Sequence, residues 1–134
     1  AAFAAGDSRL VKSLVNVRMH AGLNTPAPVQ HAIAVALGDY EHVAIEKDIY
    51  RKRREMLLPA VRDYGFELSD SEAGLYIWAT LGENCWKTVE RLAEIGILVA
   101  PGSLYGAAAE NHVRFALTAT DDDIDRAAAR LRMP

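Results

Sequence analysis

The sequence predicts an α/β chain, with an all-helical first half and a second half that folds a small sheet with helices on one face. Three observations carry this. Apolar residues keep helical spacing from Leu10 to Tyr64. An aromatic and β-branched run, Leu75-Tyr76-Ile77-Trp78-Ala79-Thr80-Leu81, follows the Ala73-Gly74 turn. Val113, Phe115 and Leu117 alternate with Arg114 and Ala116, the two-residue period of a half-buried strand.

The elements follow in order. Asp7-Ser8 precede Leu10, Val11, Leu14, Val15 and Arg18, a helix running to about His20. Ala21-Gly22-Leu23-Asn24 break it. Thr25-Pro26 then start a second helix, with a capping hydroxyl followed by proline at the first helical position. That helix carries Val29, Ile33, Ala36 and Leu37 and stops at Gly38-Asp39. A third runs from Tyr40 to Tyr64 through Ile45, Ile49, Met56, Leu57, Ala60 and Val61, with a kink expected at Pro59. At about 37 Å it is long for so small a domain, and it suits a strut between two domains.

After Gly65 comes the strand around Tyr76, then an amphipathic helix of Trp86, Val89, Leu92 and Ala93 closed by Gly96. Ile97-Leu98-Val99-Ala100 reads as a short buried strand, and Pro101-Gly102 and Gly106 as turns. The strand Val113–Leu117 follows. Thr120-Asp121-Asp122-Asp123 cap a final helix, in which Ile124, Ala127, Ala128 and Leu131 share one face.

Composition narrows the function. The chain has 134 residues, on length alone one domain, with 51% hydrophobic and 25% charged residues. A net charge of -3 argues against a nucleic-acid or anionic-membrane binder. No apolar run approaches the roughly 20 residues of a bilayer span. The single Cys85 excludes an internal disulfide framework and multi-cysteine metal sites. The default location is the cytoplasm.

Arg114 is the strongest candidate for chemistry. Its neighbours Val113 and Phe115 face the core, so Arg114 faces the other way, with small Ala116 leaving room beside the guanidinium. A charge in a core-like strand must be paired. It either clamps a substrate carboxylate in bidentate fashion or forms an internal salt bridge. The run Arg51-Lys52-Arg53-Arg54, among Glu46, Asp48 and Glu55, reads as a solvated, ion-paired helix face. His20, His31, His42 and His112 show no metal-ligand spacing and read as surface or capping residues. Cys85 sits at a helix start and reads as buried or incidental.

Several segments together resemble a family. Ala73-Gly74-Leu75-Tyr76-Ile77-Trp78, Gly96 through Gly106, and Val113-Arg114-Phe115-Ala116-Leu117-Thr118 resemble, in order and separation, three motifs of the class I/II aminotransferases. Pro26-Ala27-Pro28-Val29-Gln30-His31-Ala32 and Arg53-Arg54 are similar to two further ones. The resemblance spans nearly the whole chain. In flavour it is nearest the succinyldiaminopimelate aminotransferases of lysine biosynthesis.

The resemblance implies the C-terminal, small domain of a fold type I enzyme that uses pyridoxal 5'-phosphate (PLP), preceded by helices from the end of the large domain. Residues 1–39 would close the large domain, 40–64 would be the interdomain helix, and 65–134 the small α/β domain. By the same resemblance Arg114 grips the substrate α-carboxylate and Tyr105 lines the site. Tyr76 and Trp78 are expected in the core. A lysine holds the cofactor as a Schiff base in this family. None of Lys12, Lys47, Lys52 or Lys87 occupies the matching position.

Ala1-Ala2-Phe3-Ala4-Ala5-Gly6 is similar to the end of the segment that carries that lysine. The expectation is therefore a piece of a longer enzyme, without catalytic or cofactor-binding residues of its own and inactive alone. The full enzyme would be a cytoplasmic homodimer acting on an amino acid and a 2-oxo acid, with neither nucleic acid nor membrane as partner. Such a piece should expose an apolar patch along Leu10–Val15. The alternative is a free-standing, non-catalytic domain of the same fold that binds carboxylates or regulates.

Overall fold

The computed structural model describes residues 2–133, so Ala1 of the opening segment and Pro134 lie outside the described residues. Length alone predicts a single domain. The chain instead forms two compact units divided between Ala44 and Ile45.

The first unit contains α1 (Ser8–His20), α2 (Ala27–Gly38) and the start of α3 (Glu41–Asp63). The Asp7 side chain caps α1 by accepting from the Arg9 and Leu10 amides at 2.9 and 3.3 Å. Gly22, in the left-handed region at φ 70°, lets the chain leave the helix. The start of α2 departs from expectation. Pro26 is its N-cap, without a side-chain cap. Thr25 is committed elsewhere: its carbonyl accepts from the Gln30 amide side chain at 2.7 Å and its hydroxyl from Arg18 at 3.3 Å. No residue of α1 or α2 is buried. Leu10, Leu14 and Val15 are exposed, as the reading of an apolar patch on this helix requires.

The second unit holds the core. Its sheet comprises β1 (Glu67–Leu68), β2 (Tyr76–Thr80), β3 (Ala100–Pro101) and β4 (His112–Ala116), in the order β1-β2-β4-β3 with every neighbour antiparallel. In the central pair Ile77 faces Phe115 and Ala79 faces Val113. These four are buried with Leu57 and Val61 of α3, Leu92 of α4 (Cys85–Glu94) and Ile124, Ala128 and Leu131 of α5 (Asp121–Leu131). Three helices thus cover one face of the sheet. Fully burying aliphatic side chains of this kind stabilises by about 1.5–3 kcal/mol each.

Two local expectations are corrected, and one strand is added. Trp86 is half exposed, and α4 buries Cys85, Thr88 and Leu92. The apolar stripe therefore begins one residue earlier than the bulk of Trp86 suggests. Residues 97–99 form no strand. The Gly96 amide donates to Ala93 O and the Ile97 amide to Leu92 O, a Schellman motif that uses the Ile97 donor before any ladder begins. Leu98 is 89% exposed. The two-residue β1, too short for an alternation signal, is an addition. The cap of α5 forms as expected, with the Thr120 hydroxyl accepting from the Asp123 amide at 3.2 Å.

Candidate functional site

The alternation that buries Val113 and Phe115 turns His112, Arg114 and Ala116 to the opposite face of β4. On β2 it turns Tyr76, Trp78 and Thr80 the same way. The register sets Trp78 opposite Arg114, and Ala116 opposite Tyr76. Arg114 Cζ lies 4.0 Å from the Tyr76 ring centroid and 5.3 Å from that of Tyr105.

Tyr105 ends the 3-10 turn Gly102–Tyr105, which has glycine at both ends for different reasons. A Cβ at Gly102 would run into the carbonyl oxygens of Ala109 and His112. Gly106 takes φ 115°, a conformation side chains disfavour. The turn thereby packs against the start of β4 and presents Tyr105 beside the arginine. Trp78 meets Tyr105 edge-on at 5.5 Å and stacks on His112 at 5.4 Å.

Arg114 is held by ring faces and not by an acid. Its Nε is buried without a hydrogen-bond partner, and no acidic side chain pairs with it among the described residues. The internal salt bridge left open by the sequence does not form there. Cation–π contacts contribute about 0.5–2 kcal/mol, enough to hold a guanidinium in place but not to neutralise its charge. Such a fork suits a carboxylate.

The structure brings the two sequence-derived site residues, Arg114 and Tyr105, together. It corrects Tyr76 and Trp78, which are not core residues but walls of this face, and Tyr76 is 42% exposed. It also adds His112. The signal was the alternation itself: if Ile77 and Ala79 face the core, their neighbours cannot.

The basic run divides. Arg51 and Lys52 pair with Asp48, and Arg51 also with Glu55, on an exposed surface. Arg53 is partly withdrawn from solvent and Arg54 almost fully so. Arg53 reaches Asp121 at 2.5 Å and the Leu117 carbonyl at 3.0 Å. Arg54 is buried, and burial pushes its guanidinium below the usual arginine range. Cys85 is buried with its sulfur beside Ser103 and Gly102. Burial raises its thiol pKa, but hydrogen bonds from the Ser103 amide and hydroxyl and from the Gly102 and Trp86 amides outweigh it, so the net direction is down. No group of three acidic, histidine or cysteine side chains could hold a metal among the described residues.

The face offers one guanidinium, two phenols, an indole and an imidazole, while all four lysines are exposed elsewhere. This donor set fits a carboxylate. It offers no amine for an aldehyde such as that of PLP.

Residues 1–131 match the family model of aminotransferases of class I and II. The chain belongs to this family. It is 52% identical over 126 residues to the 4-dedimethylamino-4-oxo-anhydrotetracycline transaminase OxyQ of Streptomyces rimosus, covering 94% of this chain and 35% of that protein. It is 49% identical over 131 residues to a probable aminotransferase of Mycobacterium tuberculosis, covering 98% of this chain and 31% of the other. The N-succinyldiaminopimelate aminotransferase structure from Mycobacterium tuberculosis superposes with a TM-score of 0.77 at 26% identity, over 95% of this chain and 35% of that one. The chain thus spans about a third of the length of the curated relatives it matches. Its small antiparallel sheet with helices on one face is the fold the resemblance implied. Among the described residues no helix is long and apolar enough to cross a membrane.

Proposed function

We propose that this chain forms the substrate-carboxylate side of a PLP-dependent aminotransferase that exchanges amino and keto groups between an amino acid and a 2-oxo acid. The observation that carries the reading is Arg114, a cation caged by Tyr76 and Tyr105 and unpaired with any acid among the described residues. PLP, when bound, supplies the electron sink of the reaction. The chain's own part is positioning: Arg114 grips the carboxylate and Tyr105 borders it, which fixes the substrate's orientation.

The reading extends to the whole enzyme. Residues 1–39 close a large domain, residues 40–64 connect the two domains, and residues 65–134 are the small domain. The groups that hold the cofactor lie outside these 134 residues, so the chain alone does not transaminate. The enzyme works as a cytoplasmic homodimer. A diaminopimelate derivative such as N-succinyldiaminopimelate is the amino substrate we infer, supported by the likeness to the enzyme of that name. OxyQ, more similar in sequence, is a transaminase of a different named substrate, so both compounds belong in the assay panel.

In the enzyme expressed from the complete gene, Arg114→Leu removes a bidentate charge-assisted contact. Such a contact is worth roughly 2–3 kcal/mol, or about 30–150-fold in kcat/KM for a carboxylate substrate. An unchanged kcat/KM would overturn the clamp. The absence of a lysine from this face equally suits a free-standing carboxylate-binding domain. A natural gene product with a mass near 14.6 kDa that binds carboxylates without turnover would decide for that reading.

A further inference from the structure

Arg54 is a buried cation with no acidic partner among the described residues, an arrangement that costs stability unless something else requires it. All its acceptors are neutral and lie on the segment that enters β2. Its Nη2 donates to the Gly74 carbonyl at 2.5 Å, and its Nη1 to the Ser71 hydroxyl and, at 3.4 Å, to the Tyr76 carbonyl. Gly74, at φ 86°, makes the turn that delivers Tyr76. The ring of Tyr76 is the nearer of the two rings over which the Arg114 guanidinium lies, at 4.0 Å against 5.3 Å for Tyr105. The neighbouring Arg53 holds the exit of β4 through the Leu117 carbonyl, and the Leu117 amide donates to Leu75 O at 2.8 Å. Two consecutive arginines of α3 thus staple the entry of one site strand and the exit of the other.

We infer that Tyr76, anchored from behind by Arg54, is the positioning platform that aims Arg114 at a carboxylate. The inference deepens the carboxylate-clamp reading and rests on it. Neither residue needs to touch the carboxylate. The Tyr76 ring sets where the guanidinium lies by offering it a π face, and Arg54 sets where the ring lies by fixing the backbone before and at Tyr76. Three acceptors at different heights need a fork of donors, which one lysine ammonium cannot supply.

The test uses the enzyme from the complete gene and two probes of equal shape, 3-phenylpropanoate and the neutral 3-phenylpropanamide. Calorimetric Kd values give a carboxylate preference, the ratio of the two. Tyr76→Leu should lower this preference by about 10-fold while amide binding stays within about 2-fold, a change of roughly 1.4 kcal/mol confined to the charged probe. Tyr76→Phe, which keeps the ring, should restore it, and Arg54→Met should repeat the loss. Tyr76 is exposed, so its variants keep the test decisive even where Arg54→Met fails to fold. A preference abolished by Arg114→Leu yet untouched by Tyr76→Leu would overturn the platform and leave the clamp standing. A preference untouched by Arg114→Leu would overturn the clamp and the platform with it.

Discussion

A methyl group at position 102 is enough to test how the Tyr105 turn is seated. The Cβ it introduces meets two backbone carbonyls, which no side-chain adjustment can relieve. Gly102→Ala should lose about 2–3 kcal/mol of stability in urea unfolding, at the upper end of overpacking effects, and should move Tyr105 away from Arg114. The exposed Gly38, with open space around it, tolerates the same change and serves as control. At this scale the sequence was informative where one residue type broke a pattern. Arg114 stood out because a charge interrupts an apolar alternation. Tyr76 and Trp78 were legible by the same alternation, but aromatic bulk argued for the core. The anchoring by Arg54 was not legible, because its partners are a hydroxyl and two backbone carbonyls 17, 20 and 22 residues away along the chain, which no local pattern records.

At the level of elements, the helix ends respond to pH. Asp123 at the start of α5 has its carboxyl held below the ordinary value of 3.8, first by the Thr120 hydroxyl and then by Arg126. The unfolded chain therefore takes up this proton at a higher pH than the folded one. The stabilisation is fully present above about pH 4 and is lost as pH falls through the lower folded-state value. Melting temperatures recorded between pH 2 and 5 should fall less steeply in Asp123→Asn than in the parent. Parallel curves would show that the cap does not contribute. Capping signals such as Asp7, Thr120 and Gly96 were legible because each acts within a few residues of itself. Thr25 misled because its hydroxyl was claimed by Arg18, seven residues away. The strand expected at residues 97–99 failed for a related reason, since the preceding helix had already used the Ile97 amide.

Across the whole molecule the two units differ in what holds them. Among the described residues, all of the buried apolar ones belong to the unit that begins at Ile45, and α1 and α2 have none. In hydrogen exchange of the 134-residue polypeptide, amides of residues 8–38 should exchange at least about 100-fold faster than those of β2, β4 and α4. Equal protection would mean that α1 and α2 are stabilised by something other than burial. The sheet and its helices were readable from periodicity, since burial on one face imprints a period. The length of α3 pointed to a strut between two domains, but the point of division, between Ala44 and Ile45, was not readable, because α3 runs through it without a break in pattern. One consequence concerns the solvent. Because aromatic rings and no acid among the described residues hold the Arg114 guanidinium, the proposed clamp has no internal anion for an arriving ligand to displace, and nothing in it sets a substrate's carboxylate apart from that of a buffer. On the proposed clamp, acetate or citrate should compete in proportion to concentration, so carboxylate affinities measured in such buffers should come out weaker than those measured in amine buffers.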